Sequence, residues 1–296
     1  MKDIIEAFAP SGEECALREL IIKKFRGLFD EFITDNMGNL IAKSGECGLC
    51  IECGMDTLGV MVVSKEDSGV RFAPVGDLKV TDIVKRRVVF ADGTLGEVCC
   101  DEEKDVDTAK ISDLYIKMAA KNVEIGDFGG FSADFEEDEC AYSAYGLGNR
   151  IGLAVVCKAL ERIEELGDVT VLFSAQKRIG GRGLSAYFKN NSFERIITVE
   201  KSEEDGCTII AKDERAVSHP QLRTVLESIA KERDVLAETV VSSQNFFMEQ
   251  ISISCGDPCV ALGIEVMCEN GAKDRVNKSD FDGAVRLLTG VLKGEC

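Results

Sequence analysis

Apolar residues at Leu17, Leu20, Ile21, Phe25 and Leu28 recur at helical spacing. Ser11-Gly12-Glu13-Glu14, just ahead of them, has the form of a capping box and predicts where that helix begins. Phe32-Ile33-Thr34 and Leu40-Ile41-Ala42 flank Asp35-Asn36-Met37-Gly38-Asn39, the pattern of a hairpin whose turn has a glycine available for positive φ. Leu49-Cys50-Ile51 predicts a buried strand, and further strands are predicted over residues 169–173, 196–199 and 259–266. Residues 151–166 predict a helix with Val155, Val156, Ala159, Leu160 and Ile163 on its apolar side. Two more helices are marked by Leu222, Val225, Leu226 and Ile229, and by Phe281, Val285, Leu288 and Leu292. Helices alternating with short apolar strands imply an α/β fold, with a mainly parallel central sheet flanked by helices.

The middle of the chain follows another pattern. From residue 60 to 138 the apolar runs are short and broken by glycine, as in Val70-Arg71-Phe72, Val88-Val89-Phe90 and the stretch 95–98, with Asp92-Gly93 a hairpin-turn candidate. The one helical hint is a turn over residues 113–119. This predicts a small β-barrel inserted into the α/β domain: residues 1–59 plus 140–296 form the α/β part, and 60–139 the barrel.

Composition narrows the function. A formal net charge of -18 argues against nucleic acid and anionic membrane surfaces as partners, because both require a basic patch. No signal-like or membrane-spanning apolar run is present, so a cytoplasmic protein is expected. The 13 cysteines, an odd number spread over 296 residues, read as reduced and mostly buried thiols rather than a disulfide framework. There is a single histidine, His219. Most hydrolytic zinc sites use at least one, and many use two or three.

Several motifs then fall in a familiar order: Ala9-Pro10-Ser11-Gly12-Glu13-Glu14, Thr34-Asp35-Asn36-Met37-Gly38-Asn39-Leu40, Gly54-Met55-Asp56-Thr57-Leu58-Gly59, Asp113-Leu114-Tyr115-Ile116, Gly148-Asn149-Arg150-Ile151-Gly152 and Gln176-Lys177-Arg178-Ile179-Gly180. In this order, and over nearly the whole chain, they resemble the glutamyl or tetrahedral aminopeptidases, which use a co-catalytic pair of zinc or cobalt ions. The resemblance implies that fold, assembly through the barrel, and a list of departures. Gly54 stands where that family has its first metal-binding histidine, and Gly148 where it has the carboxylate that bridges both metals. Lys177 replaces the general-base glutamate and Arg178 the neighbouring metal-binding glutamate. Glu200 falls at the next aspartate ligand and keeps a carboxylate. Asn270 falls near the last histidine. Asp56 and Arg150 are retained.

A two-metal hydrolase needs oxygen and nitrogen ligands and a base. Glycine offers no ligand, and lysine and arginine are cationic donors without a lone pair. The expectation is therefore a site with no metal and no intact catalytic residue, where Lys177 and Arg178 replace the lost metal charge by pairing with Asp56, Glu200 or nearby acids. The expected ligand-binding cleft is Asp56, Arg150, Lys177, Arg178 and Glu200. A non-catalytic homologue that binds a peptide or small molecule, or co-assembles with an active relative or with itself, is the leading reading. A hydrolase with a remodelled metal site is the alternative, and a purely structural subunit the third.

Other signals are weaker. Cys47, Cys50 and Cys53 have the spacing of an iron–sulfur run, but no further cysteine follows at ferredoxin spacing, and residues three apart on a strand face opposite ways. Zinc held by Cys53 with Cys255 or Cys268, and a redox pair at Cys99-Cys100, are also weighed below buried or strand-end thiols. His219, before Pro220, reads as a surface or capping residue. Gly180-Gly181-Arg182-Gly183 lacks the lysine and threonine of a phosphate loop and reads as a helix-entry turn.

Overall fold

A computed structural model describes the whole chain except residues 47, 102–103, 119–121, 269–272 and 295–296. Cys47 and Asn270 therefore lie outside the described residues.

The chain begins with a short helix, α1 (Lys2–Ile5), and α2 (Cys15–Phe25), then the hairpin β1 (Glu31–Thr34) and β2 (Leu40–Ser44), paired antiparallel as the sequence predicts. The capping box is not made. The Ser11 hydroxyl donates to Asp56, far along the chain, and Glu14 accepts from the backbone N–H groups of Gly12 and Gln176 at 2.8 and 2.9 Å. Both side chains are buried, so tertiary partners outcompete the local cap.

β3 (Leu49–Gly54) leads into the barrel, built from β4 (Gly59–Glu66), β5 (Gly69–Val75), β6 (Arg87–Phe90), β7 (Leu95–Cys100), β8 (Leu114–Lys117) and β9 (Phe128–Phe131), with one helical turn, α3 (Val80–Ile83), beside it. The six strands close in the order β4-β5-β8-β7-β6-β9. Their inward residues, among them Val60, Val70, Phe72, Val88, Val98 and Ile116, form a core of their own. Asp92-Gly93 makes the β6–β7 turn, with Gly93 at φ 84°. The turn expected over 113–119 is instead strand β8, preceded by a short 3-10 turn. Pairing with β5 and β7 satisfies its backbone, while Leu114 and Ile116 enter the barrel core.

After the barrel, β10 (Glu136–Glu137) and β11 (Ala141–Ala144) join β17 (Asp274–Asn277) in a three-stranded sheet. Then follow α4 (Leu147–Leu160), β12 (Val169–Ser174), α5 (Arg182–Phe188), β13 (Arg195–Ser202), β14 (Cys207–Lys212), α6 (Pro220–Glu232), β15 (Ala237–Val241), α7 (Met248–Ser254), β16 (Cys259–Glu265) and, after β17, α8 (Lys278–Leu292). The helix predicted over 151–166 begins earlier, at Leu147, and stops at Leu160. Its buried stripe ends there. Beyond it Ile163 is buried in the core and Leu166 packs against it half-buried before the chain turns into β12.

The main sheet has eight strands in the order β1-β2-β12-β3-β13-β16-β14-β15. Its centre, β12-β3-β13-β16, is parallel, and antiparallel pairs flank it at β2–β12 and β16–β14. Apolar residues of α2, α4, α6 and α8 pack on one face. Those of α5 and α7 pack on the other.

Candidate functional site

Alternation along the parallel strands builds the site. On β3, Ile51 and Cys53 face the α4 side while Cys50 faces the α5 and α7 side. Period two then turns Glu52 toward α5 and α7 as well. The same count on β13 turns Thr198 and Glu200 that way, and on β12 it turns Ser174. The register sets Thr198 beside Glu52 and Ser174 beside Gly54. Four polar side chains thus gather near the carboxyl ends of parallel strands, where α/β folds place their ligands.

Lys177 and Arg178 reach this cluster from the turn after β12. Gln176, at φ 53°, turns the chain sharply there. The Lys177 ammonium lies 2.7 Å from Glu52 Oε2 and 2.6 Å from Glu200 Oε1. Thr198 Oγ1 is 3.4 Å away, and the Phe247 ring covers the ammonium at 4.9 Å from its centroid. Arg178 bonds the other oxygen of Glu200 at 3.1 Å and donates to the backbone carbonyl of Asn149 at 2.9 Å. Glu52 also accepts from Ser174 at 2.6 Å and Thr198 at 2.7 Å. Lys177 and Glu52 have no solvent exposure, and Glu200 has 3%.

Asp56 does something else. Its two oxygens accept the backbone N–H groups of Lys177 and Arg178 at 2.9 and 2.8 Å, and the Ser11 hydroxyl. It therefore fixes the turn that delivers both cations, and does not pair with their side chains. Burial by itself would push the Lys177 amine down, but Glu200 and Glu52 outweigh it and hold it above its ordinary range. Burial would raise the Glu200 carboxyl, but Arg178 and Lys177 pull it below its ordinary value.

The open space lies next door. A cavity of about 920 Å³ is bounded by the N-terminal segment, the α3 region of the barrel, the start of α4 and the ends of β13 and β16. Gly148, Asn149, Lys201, Glu203, Glu265 and Asp274 are among its lining residues, and Arg86 lies over the Tyr145 ring at 3.8 Å in its wall. Asp56, Arg150, Lys177, Arg178 and Glu200 do not line it. The expected cleft residues form a filled core beside the cavity, joined to it through Asn149. Arg150 is 1% exposed and donates to the carbonyls of Ile4 and Ala7 at 2.6 and 3.0 Å, tying the N-terminus to α4. Burial brings its guanidinium down to about 10.

The family described as M42 glutamyl aminopeptidase matches residues 38–287. The chain belongs to that family. It is 28% identical to a relative from Acetivibrio thermocellus, with 97% of each chain covered. Its fold matches an aminopeptidase from the archaeon Desulfurococcus kamchatkensis with a TM-score of 0.88, at 21% identity over 99% of this chain and 93% of the other. It also matches the Pyrococcus horikoshii TET1 peptidase with a TM-score of 0.87, at 21% identity over 98% and 97%.

The metal pair that an M42 aminopeptidase implies does not fit these residues. The Lys177 ammonium lies in direct contact with both buried glutamates and offers no lone pair to an ion. Arg178 occupies the remaining oxygen of Glu200. A guanidinium and an ammonium at this distance would repel a divalent cation strongly in so dry a place. Among the described residues, no three His, Cys, Asp or Glu side chains are arranged to hold a metal ion.

The sequence reading missed Glu52, Thr198, Ser174 and Phe247. Glu52 carried a signal: a charge inside the apolar run from Leu49 to Cys53 must be paired once the strand is buried. The other expectations resolve simply. Cys50 and Cys53 sit in cores on opposite faces of the sheet. Cys53 is buried, whereas Cys268 is exposed at the cavity. Cys99 and Cys100 end strand β7. His219 stands at the N-cap of α6 without a side-chain cap bond. Gly181, at φ 65°, precedes α5 as the helix-entry turn.

Proposed function

We propose that this chain is a non-catalytic M42 protein that binds a peptide or small molecule in the cavity beside the closed centre. The Lys177 ammonium lodged between Glu52 and Glu200 carries this reading. It occupies the place that chemistry would need, with a residue that can neither ligate a metal nor act as a general base while charged. The cavity supports retention of binding, because about 920 Å³ lies in the 300–1,000 Å³ range of small-molecule sites. Acidic residues outnumber basic ones in its lining, which favours a ligand carrying a cationic group. Self-assembly is part of the proposal. It is supported by likeness to the Pyrococcus horikoshii TET1 peptidase, which can assemble into a tetrahedron or a large octahedral shell.

Elemental analysis of the purified protein, with cleavage of a panel of aminoacyl chromogenic substrates, tests the reading. No stoichiometric metal and no cleavage, before and after addition of zinc, cobalt or manganese, is the expected result. Stoichiometric metal with metal-dependent cleavage would overturn it in favour of a remodelled hydrolase.

A further inference from the structure

Two lysine stems lie against two glycines. A Cβ on Gly54 would meet Lys177 Cδ at 2.8 Å and Lys177 Cβ at 3.3 Å, and a Cβ on Gly148 would meet Lys201 Cδ at 3.0 Å. The contacts differ in how easily they can give way. Lys177 is pinned at both ends: its backbone N–H is held by Asp56, and its ammonium by Glu52, Glu200 and Thr198 beneath the Phe247 ring. A stem fixed at both ends has few rotamers left. Lys201 lines the open cavity, where its stem has room to swing aside. Gly54 does not lie in the left-handed region, so its backbone would accept alanine.

We infer that Gly54 and Lys177 form one unit, in which the lysine stem fills the volume that a side chain at residue 54 would need and its ammonium sits between the two buried glutamates, balancing their charge together with Arg178. While Lys177 is in place, residue 54 cannot carry any side chain, a metal-binding one included. The centre is thus closed sterically as well as electrostatically, and restoring a ligand at residue 54 requires removing Lys177 first. This goes beyond the non-catalytic reading and holds whether or not the protein has any activity.

The test is a cycle of thermal unfolding midpoints on the full chain. Gly54→Ala is measured in the natural sequence and in a Glu52→Gln/Lys177→Ala background, which removes the stem and one charge of each sign together. Gly148→Ala is the comparison. In the natural sequence Gly54→Ala should lower the midpoint by on the order of 5 °C. In the background without the stem the same substitution should lower it by little or nothing. Gly148→Ala should leave the midpoint unchanged or raise it, since alanine favours a helix over glycine and Lys201 can move. Should the alanine background not fold, Glu52→Gln/Lys177→Met keeps the volume, frees the tip and gives the same comparison with a smaller expected drop than in the natural sequence. An equal drop from Gly54→Ala in both backgrounds would overturn the inference. The cycle reads stability alone, so its outcome is separate from that of the metal and cleavage assays.

Discussion

Lys177 and Glu52, 125 positions apart in sequence, form an ion pair at 2.7 Å with neither side chain exposed. A buried pair adds little stability compared with a well-packed apolar pair, because desolvation offsets the attraction. Removing one partner is another matter. Lys177→Met should leave Glu52 facing Glu200 without their shared cation and cost about 3–5 kcal/mol. Denaturant unfolding measures this. Glu52→Gln/Lys177→Met together should cost less than Lys177→Met by itself, since the pair is removed as a unit and Glu200 keeps Arg178.

The same network sets a pH window. Glu200 is held below its ordinary value of 4.5, so it contributes stability above that pH and loses it as pH falls through the lower folded value. Lys177 is held above its ordinary value of 10.5, so its contribution is full below that pH and fades as pH rises through the higher folded value. Unfolding free energy should therefore be flat across neutral pH as far as this cluster is concerned, and fall at both extremes. In Glu200→Gln, the acid-side loss attributable to this group should shrink. Chemical denaturation at a series of pH values reads both limbs.

Metal removal should not matter. A ligand that binds only the folded state raises its stability in proportion to the logarithm of its concentration over Kd. With the centre filled by Lys177 and Arg178, neither a chelator nor added zinc, cobalt or manganese should shift the unfolding midpoint. Differential scanning calorimetry with and without chelator provides the comparison, and a chelator-induced drop would mean that a structural ion is bound.

Asp56 should matter more for stability than for charge pairing. Asp56→Asn replaces one oxygen that accepts a backbone N–H from the 177–178 turn by a donor. Loss of a hydrogen bond to a charged, buried acceptor is worth about 1.5–3 kcal/mol. Ser11→Ala removes a single hydroxyl donor to the same carboxylate and should cost less. Unfolding curves of the two variants order them.

Much of the fold was legible because side-chain periodicity is local. Hairpin β1–β2, the short barrel strands and helices α6 and α8 all announce their period within a dozen residues. Part of the polar centre was legible too, since cations at 177 and 178 inside an apolar context need acids, and Glu200 is one of those they take. Tertiary structure alone decided which acid takes which cation. Strand order sets Glu52 beside Thr198, and the turn at Gln176 carries Lys177 over both, so its partners are Glu52 and Glu200 rather than Asp56. It also decided that Ser11 serves Asp56 instead of its own helix, and that Arg150 ties down the N-terminus instead of lining a cleft. Polar side chains go to whichever partner burial leaves within reach, and that partner is set by packing between segments far apart in the chain.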